Sequence, residues 1–342
     1  MSGLKRLKRY VRPFFYKNEI ILSEQFAYGH REVYQRFLNF SPNKYVLAEL
    51  QHGWYLDPSR SPQFGMNQRI LSRKLKPFPF LVWSRGLAQA MNQGNKESVY
   101  AICSPWYLLT SGYELFKANN KAPNYFETPG SVLFFPSHSF PGINYTHDTS
   151  KLEEIMNFPS VKSITTSLYW TDFLNPTVRE QFARFSTVTC VGIRSTASTE
   201  VPWQDIGGRV NFLYRLHRLI SEHELVICED FSTAAMAALT LGKRVFINKS
   251  KVNHEIVHRS EKRPLLVMDN EAILTRYGLL DNRNELGYEI SNSLEVLELA
   301  KLGFGYDISL EETQEVLGKF LGDSSFILPG HKLDNNLSAT LW

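Results

Sequence analysis

Short apolar, β-rich runs alternate with helix-like stretches along most of this sequence, and that alternation limits the fold more than any other feature. It is typical of parallel sheets, because consecutive parallel strands need a long crossover connection, which is usually a helix. Strands are predicted at residues 45–50, 78–84, 98–103, 131–136, 160–170, 186–193, 224–230 and 243–248. Helices are predicted at residues 85–94, 151–158, 175–185, 211–223 and 231–242, with two more helical patterns within 290–322. Asn175 is the expected N-cap of the helix 175–185, with Pro176 in its first turn. Pro105 is predicted to break the chain after the strand 98–103, and residues 137–150 are predicted to form a loop. We therefore expect an α/β protein.

The chain length of 342 residues suits two domains better than one core. A polar stretch at residues 117–130 contains two prolines and ends in glycine, which is typical of a linker. We expect a basic segment at 1–18, an N-terminal domain at 19–125 and a C-terminal domain at 126–342, which includes the helices of the tail.

Positive charge is concentrated in residues 1–18, which carry six lysines or arginines, several aromatic residues and no acid. Such a segment suits an anionic membrane surface, although a solvated leader that packs its aromatic residues on the domain fits the same pattern. The rest of the chain is slightly acidic and carries no recognised nucleic-acid module, which argues against a nucleic-acid partner. No apolar run is long enough to cross a bilayer, and residues 1–20 lack the apolar core of a signal peptide. We expect a cytoplasmic protein, peripheral on the membrane if the basic segment binds lipid.

Cys103, Cys190 and Cys228 are odd in number and lie far apart, so we expect no disulfide framework and no structural zinc site. The P-loop, the dinucleotide-binding glycine fingerprint and the nucleophile elbow of serine hydrolases are all absent from the sequence. Paired aspartates of the kind that hold a metal on sugar nucleotides are also absent. We therefore expect chemistry without a bound metal or cofactor, and neither a kinase, an NAD enzyme nor a zinc or serine hydrolase.

A histidine follows the predicted strand 45–50, in Gln51-His52-Gly53-Trp54. Ligands of open α/β sheets bind at the carboxyl ends of strands, and an imidazole there can take a proton from an attacking hydroxyl. We expect His52 to act as a general base, with Asp57 and Glu49 as alternative bases. A histidine that is hydrogen-bonded within a domain interface would give the same pattern.

Three polar residues, Ser137, His138 and Ser139, come directly after the apolar strand 131–136. They present one imidazole and two hydroxyls, which could donate hydrogen bonds to a phosphate or a departing nucleotide. A turn in which the serines cap the following chain is the alternative interpretation.

The most informative segment is Glu229-Asp230-Phe231-Ser232-Thr233, between a predicted strand and a helix rich in alanine. Ser232 and Thr233 stand where N-cap residues stand, and the N–H groups of a helix N-terminus bind phosphate readily. We expect Glu229, Ser232 and Thr233 to contact a nucleotide, although Ser232 can equally act only as the N-cap.

Two further strand ends carry weaker signals. Gly192 and Arg194 follow the strand 186–193 and could face a ribose or a base. The aromatic pair Tyr169-Trp170 and Asp172 could stack on a base or supply a carboxylate, but an aromatic core explains them equally well.

The segment HELVICEDFSTAAMAALTLGKRVFI (223–247) resembles the strand, hydroxyl-pair, helix, glycine and strand pattern of GT-B glycosyltransferases that build bacterial surface polysaccharides. The similar groups are capsule Kdo transferases, CMP-sialic and CMP-pseudaminic acid transferases, and CDP-glycerol glycerophosphotransferases. LQHGW (50–54) is similar to the histidine-glycine motif of the capsule and teichoic acid enzymes. Ser137-His138-Ser139 resembles the His-Pro motif of bacterial sialyltransferases, with Ser139 in place of the proline. The similar motifs are scattered over residues 45–250.

The resemblance implies two Rossmann-like domains that face each other across a cleft, with the nucleotide on the second domain and the acceptor on the first. It implies a metal-independent transferase that moves a CMP-activated acidic sugar, a nonulosonic acid or Kdo, onto a glycan or lipid-linked glycan of a capsule or lipopolysaccharide. His138 and Ser139 would complete the phosphate site, and His138 would assist catalysis. A transferase that uses CDP-glycerol or a UDP-sugar, and a non-catalytic polysaccharide assembly or export protein, are the alternatives.

Overall fold

The computed structural model describes residues 30, 33–34, 38, 44–46, 48–51, 53–54, 79–92, 99–118, 125–137, 143–191, 212–248, 253–256 and 270–323. Contacts between residues divide the chain into two compact units. Unit 1 contains the described residues within 1–122, 194–212 and 302–342, and unit 2 contains those within 123–193 and 213–301.

Unit 2 is built on a seven-stranded sheet. Its strands are β5 (Thr128–Phe135), β7 (Ser163–Ser167), β8 (Thr187–Thr189), β9 (His223–Cys228), β10 (Arg244–Ile247), β12 (Leu280–Asn284) and β13 (Gly287–Ile290). The strand order across the sheet is β12-β13-β10-β9-β5-β7-β8. β10, β9, β5, β7 and β8 run parallel, whereas β13 pairs antiparallel with β10 at one edge and β12 pairs antiparallel with β13.

The five parallel strands follow a doubly wound order. The chain forms β5 first, adds β7 and β8 on one side, and then adds β9 and β10 on the other side. The strand order therefore reverses between β5 and β9, whose carboxyl ends lie side by side, with Phe135 paired to Cys228. In doubly wound sheets this reversal opens a crevice at the carboxyl ends of the strands.

Helices connect these strands and cover the sheet. They are α3 (Ser150–Met156), α4 (Trp170–Leu174), α5 (Pro176–Ala183), α6 (Phe212–Glu222), α7 (Thr233–Thr240) and α8 (Asn270–Arg276). Asn175 caps α5 by accepting from Thr177 N at 3.1 Å, with Pro176 next to it, as the sequence predicts. The core of unit 2 includes Val132, Phe134, Ile164, Phe182 and Phe246. A separate ladder pairs β6 (Ile143–Thr146) with β11 (Asn253–Ile256).

Unit 1 contains a parallel sheet of β2 (Glu49–Leu50), β3 (Phe80–Val82) and β4 (Val99–Ala101), in that order. The helix α1 (Arg85–Asn92) packs on it through Leu87, Ala88 and Met91. A second helix, α2 (Pro105–Ala118), follows β4. The antiparallel pair β1 (Lys44–Val46) and β14 (Leu321–Asp323) joins the two ends of the unit.

The chain passes from unit 2 into unit 1 at the end of α9 (Leu294–Gly303), and α10 (Leu310–Gly318) belongs to unit 1. This differs from the prediction that residues 126–342 form one domain. Residues 302–323 join unit 1 because Ser104 N donates to Phe304 O at 3.0 Å, Cys103 N donates to Thr313 Oγ1 at 3.0 Å, and Arg85 pairs with Glu312 at 2.8 Å.

The expected α/β class is confirmed, and the eight predicted strands overlap β2, β3, β4, β5, β7, β8, β9 and β10, although β5 begins three residues and β9 one residue before the predicted bounds. The structure adds α2, where the sequence predicts a break at Pro105. Proline suits the first position of a helix, and Ser104 Oγ accepts from Tyr107 N at 3.0 Å as its cap. It also adds β6, within a predicted loop, and the antiparallel strands β12 and β13.

Within the described ranges, none of the helices is long and apolar enough to span a bilayer.

Candidate functional site

The candidate site lies in unit 2, where the strand order reverses between β5 and β9. Pro136 and Ser137 follow β5, and Glu229, Asp230, Phe231 and Ser232 follow β9. The sequence predicts both segments separately, and the fold places them at adjacent strand ends. Ligands of doubly wound sheets bind at this position.

Two side chains after β9 hold Ser137. The backbone N–H of Ser137 donates to Glu229 Oε2 at 2.8 Å, and its hydroxyl donates to an Asp230 carboxylate oxygen. The backbone N–H of Glu229 in turn donates to Phe135 O at 2.9 Å. Ser137 and Glu229 are buried, so these bonds are shielded from water and fix one loop to the other.

Burial raises the pKa of the Glu229 carboxyl from 4.5 to about 7. The hydrogen bond from Ser137 N lowers the pKa and the neighbouring Asp230 charge raises it, but both effects are smaller than that of burial. Glu229 therefore exchanges a proton near neutral pH, which gives this strand end a charge that depends on pH.

An asparagine from elsewhere in the sequence holds the loop after β9. Asn270, the first residue of α8, donates from Nδ2 to Glu229 O at 2.9 Å and accepts from Phe231 N at 3.1 Å. Its side chain is buried, and its amide pairs with the N–H of Phe231 and the C=O of Glu229, which lie beyond the end of β9. Asn270 therefore sets the path of the backbone between β9 and α7.

The helix α7 begins directly after this turn. Ser232 is its N-cap, with extended backbone dihedrals and an Oγ that accepts from Ala235 N at 3.4 Å. Ala235, Ala237 and Ala238 are buried, and α7 packs against β9 and β10. The capping role of Ser232 is confirmed, whereas its contact with a phosphate stays a prediction, as does that of Thr233.

Several predicted site residues lie outside the described residues: His52, Asp57, His138, Ser139, Gly192 and Arg194. Their proposed roles stay predictions. Glu49 lies within β2, paired with Phe80 of β3, rather than in the loop that follows this strand. Trp170 starts α4 and Asp172 is buried within it.

Unit 1 also places polar residues at strand ends. Gln51 follows β2, Ser84 follows β3, and Cys103 and Ser104 follow β4; all four are buried. Residues 304–313 cover the ends of β3 and β4, where a Cβ on Gly305 (φ +70°) would lie 2.8 Å from Trp83 O and 2.9 Å from Ile102 O. Only glycine fits this approach and this backbone conformation without strain.

Asp230, Gln51 and Asn270 contribute to these strand ends but are not among the site residues predicted from the sequence. Asp230 belongs to the segment 229–233, and its position next to Glu229 could have identified it as a site residue. Gln51 was quoted only as the neighbour of His52. Asn270 lies 39 residues after Phe231, and no local pattern points to it.

No group of three or more His, Cys, Asp or Glu side chains able to hold a metal occurs among the described residues. Residues 254–258 do spell the HExxH pattern of zinc hydrolases, which the exclusion of that class did not take into account. That pattern binds zinc on a helix, where its two histidines are one turn apart. Residues 253–256 form the strand β11, so His254 and Glu255 do not lie on a helix.

No family model matches the sequence, and no curated protein matches it. Among solved structures, the chain is similar to a UDP-GlcNAc 2-epimerase from Neisseria meningitidis bound to UDP-GlcNAc. The two are 12% identical with a TM-score of 0.36, over 80% of this chain and 68% of the other.

Two more solved structures are similar. The wall teichoic acid polymerase TagF is 12% identical with a TM-score of 0.30, over 76% of this chain and 55% of TagF. TarM is 10% identical with a TM-score of 0.32, over 79% of this chain and 49% of TarM. The chain thus spans about half the length of TagF and TarM.

Proposed function

We propose that this protein is a GT-B glycosyltransferase of bacterial surface polysaccharide synthesis, which binds a nucleotide-activated donor on unit 2. One observation carries the proposal: the strand order of unit 2 brings Ser137, Glu229 and Ser232 to the same reversal point. That point is where doubly wound sheets bind nucleotides.

The N-terminus of α7 supplies the phosphate subsite in this proposal. The N–H groups of the first turn of a helix point out of its N-terminus, and the helix dipole adds about half a positive charge there. Ser232, the N-cap, has extended backbone dihedrals. In this proposal the phosphate accepts hydrogen bonds from backbone N–H groups at the start of α7. Ser139 and His138 complete the subsite, and Gly192 and Arg194 face the nucleoside.

Glu229 and Asp230 shape the charge of the subsite. Two ionised carboxylates would repel a phosphate, but the raised pKa of Glu229 leaves a large fraction of it neutral near pH 7. The hydroxyl of Ser137 is already donated to Asp230 and partly offsets that remaining charge. A neutral Glu229 also has a proton to donate to an oxygen of the departing phosphate.

The acceptor binds unit 1 in this proposal, with His52 as the general base and Asp57 or Glu49 as alternatives. The donor is a CMP-linked acidic sugar, a nonulosonic acid or Kdo, and the acceptor is a growing glycan or lipid-linked glycan. We propose that transfer needs no metal ion. Residues 1–18 would hold the protein on the anionic inner face of the cytoplasmic membrane. The resemblance of residues 50–54 and 223–247 to surface polysaccharide transferases supports this choice.

A thermal-shift panel of CMP, CDP, UDP and GDP tests the proposal. A nucleotide at 100 times its dissociation constant stabilises the folded protein by about 2.7 kcal/mol, so binding is readily measured. We expect CMP to give the largest shift, in the presence of EDTA as well as in its absence. A larger shift with CDP or UDP would favour the alternative donors, and no shift with any nucleotide would favour a non-catalytic assembly protein.

A further inference from the structure

Gln51 directly precedes His52 in the sequence. The residue is fully buried, and its side-chain amide makes two hydrogen bonds at the end of β2. Oε1 accepts from Trp83 N at 2.8 Å, and Nε2 donates to Gly53 O at 2.5 Å.

The first of these bonds ends the sheet ladder. Gln51 N donates to Leu81 O at 2.8 Å, as in a regular parallel pair. The next bond of such a ladder would join Trp83 N to the backbone carbonyl of residue 51. The structure joins Trp83 N to the side-chain oxygen of Gln51 instead, so the backbone leaves the sheet at this residue.

The second bond spans position 52. By donating to the carbonyl of Gly53, the side chain of Gln51 links the two residues that flank His52. Gly53 and Trp54 are buried, and Trp54 lies so close to Gly303 that no side chain would fit there. The chain is therefore fixed before and after position 52, within unit 1 alone.

We infer that Gln51 is a positioning residue for His52: it sets the backbone that presents the imidazole at the end of β2. The inference rests on the proposed role of His52 as the base. A general base must be held within hydrogen-bond reach of the proton that it takes, and a displacement of 1 Å costs about 10²-fold in rate.

Two substitutions separate the two bonds. Gln51→Met keeps the length of the side chain and removes both bonds. Gln51→Glu keeps an acceptor for Trp83 N, and its carboxyl can donate to Gly53 O only while it is protonated, which burial favours at low pH. Gln89→Met makes the same change on the exposed face of α1 and serves as the matched control.

The first measurement does not require enzyme activity. Carbethoxylation of His52 by diethyl pyrocarbonate is followed by peptide mass spectrometry across a pH series, with the other histidine peptides as internal references. We expect Gln51→Met to change the rate or the pH midpoint at His52, Gln51→Glu to lie closer to the wild type at low pH, and Gln89→Met to change neither. An unchanged His52 profile in a folded Gln51→Met protein overturns the inference, and so does a Gln51→Glu profile that is no closer to the wild type than that of Gln51→Met at any pH.

The second measurement is a double-mutant cycle on the release of CMP from CMP-N-acetylneuraminic acid and CMP-Kdo. We expect Gln51→Met to lower kcat by about 10²-fold with little change in KM, and to have no further effect in a His52→Ala background. Equal effects in both backgrounds overturn the inference. Full activity of His52→Ala, or no CMP release by the wild type, counts against the proposed function and not against the role of Gln51. In either case the carbethoxylation experiment still tests whether Gln51 positions His52.

Discussion

The backbone N–H of Ser137 donates to Glu229 Oε2 at 2.8 Å, which joins the loops that follow two adjacent parallel strands, β5 and β9. Burial of this pair raises the pKa of Glu229 to about 7. The bond therefore links the geometry of the candidate site to its protonation state, and four of the predictions below concern this region.

Replacing Glu229 should change how stability depends on pH. The folded protein holds the proton of Glu229 up to about pH 7, whereas the unfolded chain releases it near 4.5, so the wild type loses stability as the pH rises between these values. Glu229→Gln cannot ionise and should remove this loss, which makes it more stable than the wild type at about pH 8 by about 3 kcal/mol.

Urea unfolding at acidic and alkaline pH measures this difference. The matched control is Glu285→Gln, at an exposed turn residue, which should follow the wild type throughout. If the wild type and Glu229→Gln lost stability in parallel over this range, the raised pKa of Glu229 would be refuted.

The same carboxyl should make nucleotide binding depend on pH. A bound phosphate raises the pKa of Glu229 by repulsion, so binding takes up a proton and weakens as the pH rises through 7. The phosphate of CMP itself titrates near pH 6, so the quantity to compare is the affinity ratio of Glu229→Gln to wild type at each pH. We expect a ratio near one at about pH 6 and up to about tenfold at pH 8, by isothermal titration with CMP. If this affinity ratio stayed constant across the pH series, ionisation of Glu229 would not affect CMP binding.

Asn270→Ala should destabilise the loop between β9 and α7. It removes two hydrogen bonds and leaves Phe231 N and Glu229 O without this partner, at a cost of about 2–3 kcal/mol. Asn292→Ala, at an exposed position before α9, should change stability by less than about 0.5 kcal/mol. Chemical denaturation of both variants tests the difference, and equal effects would mean that Asn270 does not hold this loop.

In unit 1, Thr313 should stabilise the fold through the hydrogen bonds of its hydroxyl and not through the shape of its side chain. Its Oγ1 accepts from Cys103 N at 3.0 Å and contacts Cys103 Sγ at 3.2 Å. Thr313→Val keeps the shape but leaves the buried Cys103 N–H unsatisfied, so we expect a loss of about 1–3 kcal/mol. Thr275→Val, exposed on α8, is the control. Denaturant unfolding measures the stability of both variants. If Thr313→Val were as stable as the wild type, this bond would not help to hold residues 302–323 to unit 1.

Local patterns predicted the parallel strands of both sheets and the capped start of α5, because apolar runs, an N-cap and a proline are each recognised within a few residues. The same local rule failed at Pro105, where a proline predicted as a break is the first residue of α2. Pro105 follows a serine that caps the helix, and this pair is a start signal in its own right.

Contacts between residues far apart in the chain could not be predicted from the sequence. The segments at Ser137 and Glu229 were each predicted as strand-end sites, but only the strand order shows that they are neighbours. Neither the bond of Asn270 to Phe231 nor that of Thr313 to Cys103 follows from spacing or composition, since the fold alone brings these residues together.

The central claim is that the N-terminus of α7 binds the phosphate of a nucleotide, and Thr233→Pro tests it most directly. Proline is well tolerated at the first position of a helix and follows extended residues such as Ser232, but it removes the first N–H group of α7. Leu310→Pro is the matched control, because Leu310 is the first residue of α10 and also follows an extended serine cap. We expect isothermal titration to show the same CMP affinity for wild type and Leu310→Pro, and about tenfold or weaker binding for a folded Thr233→Pro. CMP binding by Thr233→Pro with wild-type affinity would contradict the account.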